Sequence, residues 1–211
     1  VSPWSKSKIQ TAYAELAPSY NRRLWLEQHL LGIRRLRRQL LAKATADVLD
    51  VACGTGLNFP WLKQAASLTA VDLSPDMLAI AKKTAPKAGL TVALHAMDAE
   101  ALTFADDQFD TVVSALSTCT FPDPIAALHE MSRVCKPTGQ ILLLEHGRSH
   151  FRPLARHQDR TAQEHCENGA GCRWNQEPLD IVRAAGLPIV AARRAVLGVF
   201  HLIQAKPTKG Q

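Results

Sequence analysis

The sequence predicts a three-layer, doubly wound α/β fold, in which a mostly parallel seven-stranded sheet with an antiparallel last strand is covered by helices on both faces. Three observations carry this. Short apolar runs alternate with helix-length stretches between residues 47 and 205. The first run ends in "DVLDVACGTGLNFP", residues 47–60, where an acid and two glycines sit at a strand-to-helix turn. The last two runs are separated only by the turn around Leu197-Gly198, a connection that a parallel pair cannot make.

The elements follow in order. Within "NRRLWLEQHLLGIRRLRRQLLAK", Leu26, Leu30, Ile33, Leu36 and Leu40 recur at steps of three and four, with Arg34, Arg35 and Arg38 on another flank. This spacing predicts one amphipathic helix from Asn21 to Lys43. A strand at 47–52, a helix at 58–66 and a strand at 67–72 come next, then a helix opened by Ser74-Pro75 with Asp76 in its first turn. Further strands are expected at 90–95, 109–115 and 139–145. "PDPIAALHEMSRVCK" forms the helix between the last two, ended by Pro137-Thr138-Gly139. A helix at 176–185 and strands at 188–194 and 197–205 close the chain.

The 211 residues fit one core, and no repeat or linker divides them. The expected organisation is a helical cap over 1–45 and a ligand-binding domain over 46–211, with 147–175 inserted after the fifth strand. An apolar fraction of 46% with 21% charged residues excludes a disordered chain, and no apolar window is long enough to span a bilayer. Five irregularly spaced cysteines and no visible signal peptide lead to an expectation of reduced thiols in a cytoplasm. The net charge of +6 is uneven: residues 1–45 hold nine Lys/Arg against Glu15 and Glu27. One end of the chain is thus suited to an anionic partner, nucleic acid or an acidic lipid surface.

The loop Gly54-Thr55-Gly56-Leu57-Asn58-Phe59 ends in phenylalanine where a dinucleotide fingerprint would place its third glycine, which weakens a nicotinamide reading. Here the chain resembles class I S-adenosylmethionine-dependent methyltransferases. Their first motif, apolar-apolar-(Asp/Glu)-x-(Gly/Ala)-x-Gly-x-Gly, is matched by "VLDVACGTG" with Ala52 in the first glycine place. The likeness runs from about residue 13 to 145 and implies the Rossmann-like methyltransferase fold, with S-adenosylmethionine as cofactor and S-adenosylhomocysteine as product. Asp72, closing the second strand in "LTAVDLSPDML", corresponds to the acid that accepts from both ribose hydroxyls; Asp98, in "HAMDAEALTF", corresponds to the acceptor for the adenine amino group. The resemblance places Asp50 at the methionine portion. Asn58 either bonds the amino acid end or caps a helix. Ala52, Gly54, Gly56, Leu73, Met77, Ala99 and Ser114 complete the implied cofactor-binding set.

"YAELAPSYN" is similar to the N-terminal Y-D-x-x-A-x-x-Y-D of the ubiquinone/menaquinone and bacterial phospholipid N-methyltransferase branch, with Ala14 and Asn21 in place of the two aspartates. Tyr13 and Tyr20 would then cover the cofactor; alternatively they pack an ordinary helix. The tail from Gly171 resembles the end of bacterial phospholipid N-methyltransferases and of thiol-methylating relatives. Together these imply a small or amphiphilic acceptor, a phospholipid amine (phosphatidylethanolamine) ahead of a quinol precursor or an alkyl thiol. Reversible attachment to an anionic membrane, at the inner membrane surface, goes with that reading.

Arg148, Arg152, Arg156 and Arg160 recur every four residues, a ridge that is either solvated surface or a phosphate contact; Arg152, Arg156 and Trp174 are the substrate-binding candidates. Tyr20, His146 and His165 are the candidate catalytic bases. His157, His165, Cys166 and Cys172 invite a metal or arsenite reading, but His165-Cys166 adjacency and the C-x5-C spacing are poor for zinc, so no metal is expected. Cys53, Cys119 and Cys135 read as small core residues, and His201 as a core or edge residue. A nucleic-acid-binding protein on the same fold is the rival reading. The missing Asn/Asp-Pro-Pro-Tyr signature after the fourth strand, which reads Ser114-Ala115-Leu116-Ser117, counts against it, as does the lack of aromatics among the arginines.

Overall fold

The computed structural model describes residues 4–209. Three helices come first: α1 (Lys6–Leu16), α2 (Tyr20–Leu30) and α3 (Ile33–Leu41). The alternating part runs β1 (Ala46–Val51), β2 (Ala65–Asp72), α4 (Pro75–Thr84), β3 (Ala93–Ala96), β4 (Phe109–Ala115), α5 (Pro124–Val134) and β5 (Cys135–His146). It ends with α6 (Arg152–Asn168), α7 (Pro178–Ala184), β6 (Ile189–Ala195) and β7 (Phe200–Ala205). The strands form one sheet in the order β3-β2-β1-β4-β5-β7-β6. β7 runs antiparallel to both its neighbours and the remaining pairs are parallel, as the sequence predicts.

Period-two side-chain alternation splits the core into two layers. Val48, Ala70, Val113, Leu142 and Leu144 face α3 and α4, whereas Leu49, Val71, Val112, Ile141 and Leu143 face α5 and α7. Local signals match the helix starts: Ser74 accepts from Met77 N–H, and Asp123 accepts from Ile125 and Ala126 N–H, each just before a proline at N1.

Three expectations are corrected. The single helix over 21–43 is broken at Gly32, whose φ of +67° is the left-handed conformation that glycine adopts at little cost. The break turns the stripe outside in: Ile33, Leu36 and Leu40 pack on the sheet, while Leu26 and Leu30 stay 56% and 74% exposed. The helix at 58–66 reduces to one 3-10 turn, Phe59–Trp61, because β2 already begins at Ala65. Phe59 and Leu62 are fully buried from that turn, and α3 covers the same layer. Lastly, α5 stops at Val134 instead of at Pro137-Thr138-Gly139. β5 starts at Cys135, with its register to β4 shifting between Phe109 and Thr111.

Candidate functional site

A cleft of about 900 Å³, a volume that includes open solvent, opens at the carboxyl ends of β1 to β4. Its floor is the β1 loop. Ala52 (φ +54°) and Gly54 (φ +56°) are both left-handed, which folds the chain back and leaves open space where a Gly54 side chain would stand. Gly56 has a different job. A Cβ there would come within 2.5 Å of the Phe59 ring, so this glycine lets the loop pack on its own phenylalanine and does not line the cleft.

Asp72 holds the loop. Its Oδ2 accepts from Gly54 N–H at 2.8 Å and its Oδ1 from Ser74 N–H at 2.9 Å, which leaves each oxygen with a further lone pair. Burial raises its pKa, and these two bonds oppose the rise. At the far end, Asp98 accepts from Glu100 N–H at 2.9 Å, and Lys6 of α1 bridges Asp98 and Glu100 at 2.6 and 2.8 Å. α1 lies across the opening: Ile9, Gln10 and Tyr13 line it, and Gln10 Nε2 donates to Leu73 O at 3.1 Å.

The opposite end carries buried charge. Arg37 is only 4% exposed yet lines the cleft, and it donates to Asn58 Oδ1. Asn58 Nδ2 in turn donates to Asp50 Oδ1 at 2.8 Å. Asn58 makes no capping bond, so of its two expected jobs the helix cap is absent. Asp50 does not reach the cleft; it lies fully buried behind Asn58, where desolvation pushes its pKa up to about 7 against the Asn58 bond and the Arg37 charge. Among the described residues, Arg37 Nε and Asp50 Oδ2 are buried without partners. A buried guanidinium at one end, and the Asp72 and Asp98 carboxylates towards the other, fit an adenosyl ligand that carries a carboxylate tail.

Of the proposed cofactor set, Tyr13, Tyr20, Ala52, Gly54, Asn58, Asp72, Leu73, Met77, Asp98 and Ala99 line this cleft. Ser114 does not; it is fully buried and bonded to Ser117 Oγ. Among the catalytic candidates only Tyr20 reaches the cleft. Burial pushes its phenol up to about 12, so at neutral pH it is a donor and not a base. His146 contacts Cys172 Sγ at 3.3 Å, and His165 stacks on Trp174 with ring centroids 4.4 Å apart; neither lines the cleft. Arg152 and Arg156 are exposed on α6, Arg148 is spent on Asp159, and Trp174 donates to Gln158 O, all outside the cleft. Lys6 and Arg37 escaped the sequence reading. For Arg37 a signal existed, because it falls within the Ile33, Leu36, Leu40 stripe.

Comparison with known proteins agrees with this geometry. Residues 49–143 match the family described as "Methyltransferase domain". The mitochondrial methyltransferase OMS1 of Saccharomyces cerevisiae is 30% identical over 213 residues, 92% of this chain and 45% of that protein. A phosphatidylethanolamine N-methyltransferase of Cereibacter sphaeroides is 37% identical over 51% of this chain and 54% of its own length. A demethylmenaquinone methyltransferase of Thermus thermophilus is 39% identical over 63% of each. The chain thus spans about one to two thirds of the length of the curated relatives it matches. Among solved structures, a methyltransferase of Thermotoga maritima superposes with a TM-score of 0.70 at 21% identity, over 95% of this chain and 100% of that one, a likeness of fold. With the strand order, the acid-glycine loop and the cleft, these matches identify the chain as carrying a class I S-adenosylmethionine-dependent methyltransferase domain.

Proposed function

We propose that this chain methylates an amphiphilic acceptor at an anionic membrane surface, a phospholipid amine ahead of a quinol precursor or an alkyl thiol. The observation that carries the membrane half is the outer face of α2. Trp25, Leu26, Leu30 and Leu31 are 58%, 56%, 74% and 42% exposed, and Arg22, Arg23, Arg34, Arg35 and Arg38 stand exposed around them. Apolar side chains rimmed by arginine suit insertion among acidic headgroups. Among the described residues, no helix is long and apolar enough to cross a membrane. The quinol reading has its own support, since the demethylmenaquinone relative matches a longer stretch than the phosphatidylethanolamine one.

The cofactor supplies an electrophilic methyl group on a sulfonium, and the protein has to align an acceptor with it while excluding water. In this reading Asp72 accepts from the ribose hydroxyls and Asp98 from the adenine amino group. The Arg37 guanidinium holds the carboxylate of the methionine tail. Tyr13 and Tyr20, with ring centroids 6.2 Å apart, close the cleft from the α1–α2 side. An amine acceptor must arrive neutral, because the only catalytic candidate on the cleft keeps its own proton.

The test combines vesicle flotation with transfer of labelled methyl to phosphatidylethanolamine, a demethylmenaquinol and an alkyl thiol. Replacing Arg34, Arg35 and Arg38 by glutamine should weaken binding to phosphatidylserine vesicles by about 3 kcal/mol, from ~1 kcal/mol per basic residue near the surface. Trp25→Ser with Leu30→Ser should release the part that salt does not. No flotation at low salt, with activity on a soluble acceptor alone, refutes the membrane half and leaves the methyl transfer standing.

A further inference from the structure

Outside the cleft, three soft donors from distant parts of the chain converge. Cys119 follows β4, His146 ends β5 and Cys172 follows α6, and their ligand atoms all lie within 4.8 Å of one another. Cys172 Sγ is 3.3 Å from His146 Nε2 and within hydrogen-bonding reach of Cys119. None of the three is in a disulfide. The sequence groups His157, His165, Cys166 and Cys172 by proximity along the chain; of that set the fold brings Cys172 into the cluster and His165 against its thiol.

We propose that Cys119, His146 and Cys172 form a zinc site with three protein ligands and one open position. Zinc at ~2.3 Å from sulfur and ~2.0–2.1 Å from nitrogen places tetrahedral ligand atoms about 3.5–3.8 Å apart, so closing on an ion asks for side-chain shifts on the order of 1 Å. Two thiols and an imidazole select a soft ion over magnesium or calcium.

The scaffold is preorganised by bonds that do not use the ligand atoms. Arg173, next to Cys172, donates its side chain to the carbonyls of Thr118, Cys119 and Phe121 at 3.0, 3.2 and 2.9 Å, and its N–H to Cys119 O at 3.0 Å. Gln176 Nε2 donates to Thr118 Oγ1 and to His146 O, both at 3.1 Å. The site lies behind the cleft wall, since Thr120, adjacent to Cys119, lines the cleft together with Tyr13. An ion here would fix the loop after β4 against the α6 insertion, with a water or a soft anion in the fourth position.

The reduced protein, stripped with chelator, is titrated with Zn²⁺ and separately with Co²⁺, and its adenosylhomocysteine affinity is measured alongside as a check of the fold. One equivalent of zinc should bind, and cobalt should give tetrahedral d–d bands with thiolate-to-metal charge transfer. Cys119→Ser and Cys172→Ser should each weaken zinc binding by about 100-fold or more and diminish the charge-transfer band. Cys135→Ser, on a core cysteine away from the cluster, should change neither. Wild-type reduced protein that takes up no zinc at micromolar concentration overturns the proposal, as does stoichiometric binding that survives both serine variants. A Cys119–Cys172 disulfide in protein that binds no metal once reduced overturns it too, and makes the pair a redox element. None of these readouts depends on which acceptor is methylated.

Discussion

Replacing Asp50 by asparagine isolates the cost of burying a carboxylate behind the cofactor cleft. Burial lifts this group from 3.8 to about 7, overcoming the Asn58 bond and the Arg37 charge. Between those values the folded protein keeps a proton that the unfolded chain has released. The Asp50 contribution to stability is therefore fully present below pH ~4 and is lost as pH rises through ~7, by up to about 1.4 kcal/mol per pH unit. Over the whole interval this amounts to about 4 kcal/mol at most. Asparagine keeps an oxygen for Asn58 Nδ2 and has no charge to bury. From pH 5 to 7, wild type should thus lose about 2–3 kcal/mol relative to Asp50→Asn, a Tm difference on the order of 5–10 °C for a chain this long. Thermal unfolding of both proteins without cofactor across that range measures it. Parallel curves of Tm against pH would refute the reasoning and show that Asp50 is already ionised at pH 5.

Asp72→Ala should raise the dissociation constants of adenosylmethionine and adenosylhomocysteine about 30- to 1,000-fold, from two lost hydrogen bonds to a carboxylate worth about 2–4 kcal/mol together; calorimetry that finds no change removes Asp72 from the site. Arg37→Met should weaken adenosylhomocysteine about 10- to 100-fold and leave 5′-methylthioadenosine, which lacks the amino acid, unaffected. Equal loss for both ligands would deny Arg37 a carboxylate partner. Gly54→Val costs about 1–2 kcal/mol or more in stability from its left-handed backbone, and its side chain enters the cleft, so ligand binding should disappear from calorimetry while a cooperative melt remains. Retained binding would refute the loop assignment.

Strand positions and sheet direction were legible because period-two apolar runs and short turns are local signals. So were the residues that end strands: Asp72, Asp98 and the Ala52–Gly54 turn are positioned by register alone, and register is set by the same runs. What escaped the sequence reading depends on tertiary placement. Gly32 looks like a tolerable helix glycine until the sheet's demand for Ile33, Leu36 and Leu40 is known. Arg37 looks like one more surface arginine until α3 is docked with that residue at the end of the cleft. Cys119, His146 and Cys172 carry no spacing signal, because each comes from a different segment and only the folded sheet edge brings them together. His146 ends β5 at the carboxyl edge of the sheet but faces the sulfur atom of Cys172 and not the cofactor cleft.

The left-handed turn at Gly32 separates two kinds of freedom to vary. Beyond it, α3 is committed to the sheet, and each of its buried leucines is worth about 1.5–3 kcal/mol that a polar replacement would forfeit. Before it, the exposed side chains of α2 cost the core nothing when they change, while Thr55 Oγ1 still donates to Asn21 Oδ1 at 2.6 Å and ties the helix to the cofactor loop. Homologous chains could therefore retune Trp25, Leu26 and Leu30 to other surfaces without renegotiating the fold. The same separation makes this stretch the natural place to graft a different docking specificity by design.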